Sequence, residues 1–204
     1  MSVVRKSPRT VTAFDPVTRW RARAAALVAY LAVLATVAAI VVFAVRYQPL
    51  SAANLASEPL AQSDPNIVRV EYENGGTFSF GFLIVNDGQL PVNVQRIQMT
   101  GQNQLLVPVR LETAGQRYAG SLGEGDPSLE KFIPFTLGGG DRRWIIVRTR
   151  FGNCDRFAAG VLEMHTRFQV TYSVLGFTKH AWVQLPKEIG VGSPPDSACP
   201  TRAA

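Results

Sequence analysis

The chain holds 204 residues, 47% of them hydrophobic and 18% charged, with a formal net charge of +6. A positive surplus ordinarily points toward nucleic acid, but here it is unevenly placed: residues 1–46 carry seven Lys/Arg against the single acid Asp15, whereas residues 47–204 carry fourteen basic and fourteen acidic side chains. The bulk of the chain is therefore neutral, and nucleic acid is excluded as an expected partner.

Residues 1–23 are rich in Arg, Ser and Thr, show no periodic apolar pattern and are too short to bury a core. They read as a cytoplasmic tail, disordered or lying along anionic lipid. Residues 24–45, AAALVAYLAVLATVAAIVVFAV, contain no charge. At 1.5 Å per residue such a helix spans ~33 Å, close to the ~30 Å hydrocarbon core of a bilayer. A single segment in lipid must satisfy its own backbone hydrogen bonds, which a helix does. Arg5, Lys6, Arg9, Arg19, Arg21 and Arg23 precede the span, and only Arg46 follows it before Arg69. The positive-inside rule then sets the N-terminus inside the cell and the remainder outside. Trp20 and Tyr47 stand near the two ends, at headgroup level. The rival reading is a cleaved signal peptide, whose apolar core runs about 7–15 residues; the longer core favours an uncleaved signal-anchor contacting membrane lipid through residues 24–45. Ala25/Ala29 and Ala35/Ala39 have small-xxx-small spacing, which an alanine-rich span also produces by chance.

Residues 46–65, with three prolines among Ala, Ser and Gln, read as a stalk. From Asn66 the pattern becomes period two, as in half-buried strands. Val68, Val70 and Tyr72 alternate with charge, and Phe78, Phe80, Phe82 and Ile84 share one face. The opposite face of that run (Ser79, Gly81, Leu83, Val85) is also uncharged, so the strand is expected to be central. Asn86-Asp87-Gly88 reads as a turn tolerant of positive φ. Further strands follow at Val92–Met99, Leu105–Leu111, Ile133–Leu137, Trp144–Phe151, Phe168–Val174 and Ala181–Leu185. About eight strands without an intervening amphipathic helix predict an all-β, antiparallel, immunoglobulin-like sandwich over residues 66–187. Residues 188–204, rich in Gly, Pro and Ser, read as a C-terminal tail.

Candidate sites are few. Cys154 and Cys199 both lie in the exported part, where an oxidising compartment favours a disulfide. Closing the loop between them would contribute roughly 4 kcal/mol on the chain-entropy model. A metal pair lacks the usual ligand spacing, and a free thiol stays open if the two are distant in space. His165 and His180 have no second ligand at useful spacing, so structural or surface roles are expected and no metal is assigned. Glu124, Asp126 and Glu130 gather on a glycine-rich loop whose oxygens are weak candidates for Ca²⁺ or a small ligand, although the spacing is not that of an EF-hand. That loop is the longest irregular stretch in the domain. There is no GxSxG and no P-loop, so no catalytic residues are assigned and no cofactor is expected. Arg142, Arg143, Arg148 and Arg150 would form a basic stripe if the last two point outward, or would pair with nearby acids.

The run Phe78–Val94, Gly152-Asn153-Cys154, the strand pair around Val174–Phe177 and the late Cys199-Pro200 together resemble single-pass envelope proteins of actinobacteria with an exported immunoglobulin-like domain. The resemblance covers most of residues 66–200 and implies a fold and a compartment, with no catalytic residues to carry over. Copper-delivery proteins of respiratory oxidases can share this topology, but they use a close cysteine pair that this chain lacks. The expected function is a non-enzymatic interaction or structural module of the cell envelope. Its protein partner would dock on exposed strand edges or on the 113–131 loop; the alternative is a small-ligand or Ca²⁺-binding exported domain.

Overall fold

The computed structural model describes residues 16–58, 62–99, 104–118, 122 and 126–194. The chain divides into two compact units, Met1–Tyr47 and Gln48–Ala204. In the first unit, α1 (Pro16–Arg46) opens on a proline, whose missing N–H is one the first helical turn leaves unbonded anyway. The helix therefore begins before the expected span and takes in residues 16–23 of the expected tail; residues 1–15 of that tail lie outside the described residues. Within α1, Arg23–Phe43 is 21 residues long with mean hydropathy 2.7, long and apolar enough to cross a membrane. Within it the Thr36 hydroxyl donates to the Ala32 carbonyl at 2.9 Å, so that group is satisfied inside the helix.

The second unit is built from strands. In chain order these are β1 (Leu50–Ser57), β2 (Gln62–Ser63), β3 (Ile67–Glu71), β4 (Thr77–Asn86), β5 (Val92–Met99), β6 (Leu106–Ala114), β7 (Glu130–Lys131), β8 (Phe135–Leu137), β9 (Arg142–Phe151), β10 (Leu162–Val174) and β11 (Phe177–Gly192). One sheet has the order β1-β4-β9-β6-β7 and the other β2-β3-β11-β10-β5-β8. The first is antiparallel throughout. The second is mixed, because β3 runs parallel to β11. The expectation of about eight antiparallel strands is thus corrected to eleven among the described residues, one pairing being parallel.

The added strands lie where the sequence reads as linker. The expected stalk, residues 46–65, contains β1 and β2. β1 pairs with β4 from Leu50↔Asn86 to Ser57↔Phe80, with a bulge at Asn54, whose φ is 48°. Its Ala and Ser side chains carry little apolar signal, so only the hydrogen-bonding edge of β4 reveals it as a strand. At the other end, Glu188–Gly192 of the expected tail completes β11 and pairs with β3. Cys199 and residues 195–204 lie outside the described residues.

Alternation along β4 builds the core. Phe78, Phe80, Phe82 and Ile84 are at most 2% exposed. The Phe168 ring of β10 meets Phe82 at 4.9 Å and Phe80 at 5.9 Å between centroids, joining the two sheets. Val92 and Val94 of β5, Val170 and Tyr172 of β10, and Ile145 and Val147 of β9 are also fully buried. The other face of β4 is buried as well, so β4 is central, lying between β1 and β9.

The turn after β4 is made differently from the expected one. None of Asn86, Asp87 and Gly88 has a positive φ. Instead the buried Asn86 side chain donates to the carbonyls of Leu90, Leu137 and Gly138 and accepts from the Gly88 N–H, tying this turn to the β8–β9 turn. Gly139 is required at that junction, since a Cβ there would lie 2.9 Å from the Gly88 and Gln89 carbonyl oxygens.

The β10–β11 hairpin closes through Leu175 (φ 50°) and Gly176 (φ 82°), both left-handed, as in a type I′ turn. A leucine there is strained by roughly 1–2 kcal/mol, and its side chain is 60% exposed. Leu175→Asn is therefore expected to stabilise the domain by about 1 kcal/mol and raise its Tm by about 3 °C, measured by a thermal melt. An unchanged or lower Tm would show that the leucine is held by contacts outweighing the strain.

Candidate functional site

Among the described residues, the side chains singled out in the sequence do not converge. Glu124 lies outside the described residues. Asp126 is committed to its own loop: Oδ1 accepts the Ser128 N–H at 2.9 Å and the Ser128 hydroxyl at 2.5 Å, while Oδ2 accepts the Tyr118 hydroxyl at 3.1 Å. Glu130 is exposed on β7, opposite Thr113. Among the described residues no group of three or more His, Cys, Asp and Glu could hold a metal ion. His180 is exposed, with Nδ1 3.0 Å from the Thr171 hydroxyl. His165 is buried, with Nε2 3.5 Å from Glu163 Oε2, the oxygen that also accepts the Leu105 N–H at 2.6 Å. Cys154 is buried at the start of a 3₁₀ turn (Cys154–Arg156), and no cysteine is free among the described residues.

The described residues of the loop after β6 lie on the outer face of the five-stranded sheet. Leu122 packs with Ala114 and Ile146, and Ala56, Tyr118, Leu129 and Trp144 surround them. A Cβ built on Gly81 would lie 3.4 Å from Leu122 Cδ2, ordinary van der Waals contact, so Leu122 lies directly on β4. The buried Arg148 of β9 fastens it. Its Nε donates to Glu112 Oε2 at 3.0 Å, and its Nη1 donates to Ser79 Oγ at 3.1 Å and to the Leu122 carbonyl. Arg110 binds the other Glu112 oxygen at 3.0 Å. Of the two readings of these arginines, pairing with a nearby acid holds for Arg148, which is enclosed and bound to Glu112, while Arg143 stacks on Phe135 at 4.8 Å and Arg150 is exposed.

Two groups in the loop titrate away from their ordinary values. Burial pushes the Tyr118 phenol up, helped by its bond to Asp126. The Ser128 hydroxyl and amide hold the Asp126 carboxyl below its ordinary value of 3.8. A carboxyl depressed in the folded state contributes stability above its unfolded pKa and loses it as pH falls through the folded one. The difference in Tm between the parent and Asp126→Asn should accordingly be constant at neutral pH and shrink only below pH about 3.8. A difference that already shrinks between pH 7 and 5 would assign the effect to another group.

The feature with the shape of a binding site lies elsewhere, at the side of the domain where β5 and β6 run beside each other from opposite sheets. A groove of about 450 Å³ is lined by Arg96–Met99 of β5, Pro108–Leu111 of β6, Lys131 and Phe132. β8 pairs only with Val92–Val94 of β5, so residues 95–99 have a strand neighbour, β10, on one side alone among the described residues. β7 likewise reaches only Glu112 and Thr113 of β6. Beside the groove, Val109 and Ile133 are 63% and 61% exposed. The lining carries three cations, Arg96, Arg110 and Lys131, and no acid. Sequence reading passed over this site because its residues come from three separate runs. The available signal was Pro108, a proline inside a strand pattern, which marks an edge strand.

The chain matches no protein-family model. No curated protein matches it. Among solved structures it is similar to a Vibrio cholerae protease, VesB, with 12% identity and a TM-score of 0.33, over 66% of this chain and 32% of that one. It is similar also to a PapD-like domain of human CEP192, with 10% identity and a TM-score of 0.35, over 73% and 87% of the two chains. The CooA pilin subunit of enterotoxigenic Escherichia coli gives 7% identity and a TM-score of 0.31, over 72% and 100%. This chain thus spans about a third of the first of these proteins.

Proposed function

We propose that the protein is a membrane-anchored, non-catalytic interaction module of the cell envelope, its N-terminus cytoplasmic and its β domain outside. The observation that carries this reading is the union, in one chain, of a helix of membrane-crossing length with a β domain whose described residues leave strand edges open beside a groove. The neutral charge of residues 47–204 and the basic flank before the helix support the orientation. The two sheets joined by the Phe80–Phe82–Phe168 cluster support an immunoglobulin-like sandwich, in line with the resemblance to actinobacterial envelope proteins. In that setting Cys154 pairs with Cys199 and staples the chain end to the domain. Thiol titration of the denatured, unreduced full chain should then find no reactive thiol; two titratable thiols would remove the pairing and its support for an oxidising compartment.

The module reading is tested in living cells by photo-crosslinking residues introduced one at a time at the exposed positions Val109 and Phe177. The expected result is a reproducible adduct with another envelope protein from at least one position. Absence of any adduct from both, with the protein present in the membrane fraction, would overturn the reading.

A further inference from the structure

Resting on the module reading, we infer that the β5 edge binds an extended peptide segment of a partner, one alternating acidic with apolar side chains, by adding it as a further strand of the six-stranded sheet. The two open edges beside the groove are not equivalent. On β6, Pro108 lacks an N–H and the register against β9 slips between Pro108 and Arg110, leaving Val109 bulged. A proline and a bulge are the devices that stop an edge from accepting another strand. On β5 the single register shift falls before Arg96, and Arg96–Met99 continue in regular pairing with Thr171–Phe168. That stretch contains no proline and no glycine. Among the described residues the β5 edge therefore keeps a regular run of backbone donors and acceptors beside the groove, the requirement for strand addition.

The lining chooses the side chains. Along an added strand, alternate residues face opposite ways. One set meets the apolar groups of the groove, Ile97, Leu111 and Phe132. The other set passes the exposed Arg96 and Lys131, neither of which is in an ion pair among the described residues. Glu112 already binds Arg110, which leaves Arg96 and Lys131 as the cations available to a ligand. A carboxylate-bearing strand is complementary to that arrangement, and a lysine-bearing one is repelled.

The test uses the full chain in lipid nanodiscs and a short fluorescein-labelled peptide alternating glutamate with valine, read by fluorescence anisotropy. Three controls accompany it: the lysine–valine counterpart, the glutamate peptide N-methylated at alternate residues, and the variant Arg96→Glu/Lys131→Glu, whose changed side chains are exposed and outside the core. The expected result is saturable binding of the glutamate peptide, roughly tenfold weaker with the variant and lost on lysine exchange or N-methylation. No binding, or binding indifferent to N-methylation or to the variant, would overturn the inference. The module reading fails separately: adducts from Phe177 alone would leave it standing while the β5 groove is discarded.

Discussion

Phe168→Ala is expected to lower the stability of the β domain by about 4 kcal/mol, the largest effect of any single core substitution argued for this protein. Phe168 is 1% exposed and is the β10 residue that meets both Phe80 and Phe82 of the facing sheet. Truncation removes a ring whose burial is worth about 2–3 kcal/mol in transfer terms and leaves a cavity whose lining loses dispersion contacts. The backbone around it cannot collapse freely, since Phe168 is paired on both sides, to Met99 of β5 and Val183 of β11. Phe168→Leu keeps much of the volume and should cost under half as much. Urea unfolding of the full chain in micelles, followed by tryptophan fluorescence, would show a midpoint lowered by roughly 2 M for the alanine variant at an unchanged slope. A loss below about 1 kcal/mol would mean that the two sheets are held together elsewhere.

The part of this fold legible in the sequence is the part whose alternation has large side chains on one face. β4 announces itself through Phe78, Phe80, Phe82 and Ile84, and the uncharged opposite face correctly signals a central strand. β1 does not, because LSAANLAS has one large apolar residue at each end of its first six positions and small or polar ones between. Its place depends on pairing with β4, a contact about 30 residues away in sequence that no local pattern encodes. β7 has only two residues, too few for any period. The candidate loop shows the same limit at the level of a site. Asp126 was legible as an acid on a glycine-rich loop; that its oxygens serve Ser128 and Tyr118 depends on how the loop folds back. The groove is less legible still, because it arises where two strands from different sheets leave their edges open, and an open edge is defined by where a neighbouring strand stops.

Arg148→Ala should be the second most damaging change, at about 3 kcal/mol. In sequence Arg148 reads either as part of an outward stripe or as paired with a nearby acid; in the fold its side chain is only 10% exposed and that of Glu112 only 8%. The cause is the loop carrying Tyr118, Leu122 and Leu129, which covers this face. Removing the guanidinium takes the donor from Glu112, Ser79 and the Leu122 carbonyl at once, and a buried carboxylate without its partner ordinarily costs 3–5 kcal/mol. The lower end applies because Arg110, 56% exposed, still holds the other Glu112 oxygen. The cost should therefore belong mainly to the stranded partner, and a double substitution separates the two. Glu112→Leu/Arg148→Met removes both charges and fills the space with apolar atoms, and should recover to within about 1 kcal/mol of the parent. Urea midpoints of the parent, Glu112→Leu, Arg148→Met and the double variant give the coupling energy directly. The loop supplies an independent readout, because the Tyr118 amide donates to the Gly115 carbonyl at 3.0 Å within it. Hydrogen exchange at that amide should quicken in Arg148→Ala by more than the global loss of stability requires, since the Leu122 anchor is released before the sheet opens. If it quickens only in proportion to global unfolding, Arg148 stabilises the sheet alone and the loop is held by the apolar contacts of Leu122.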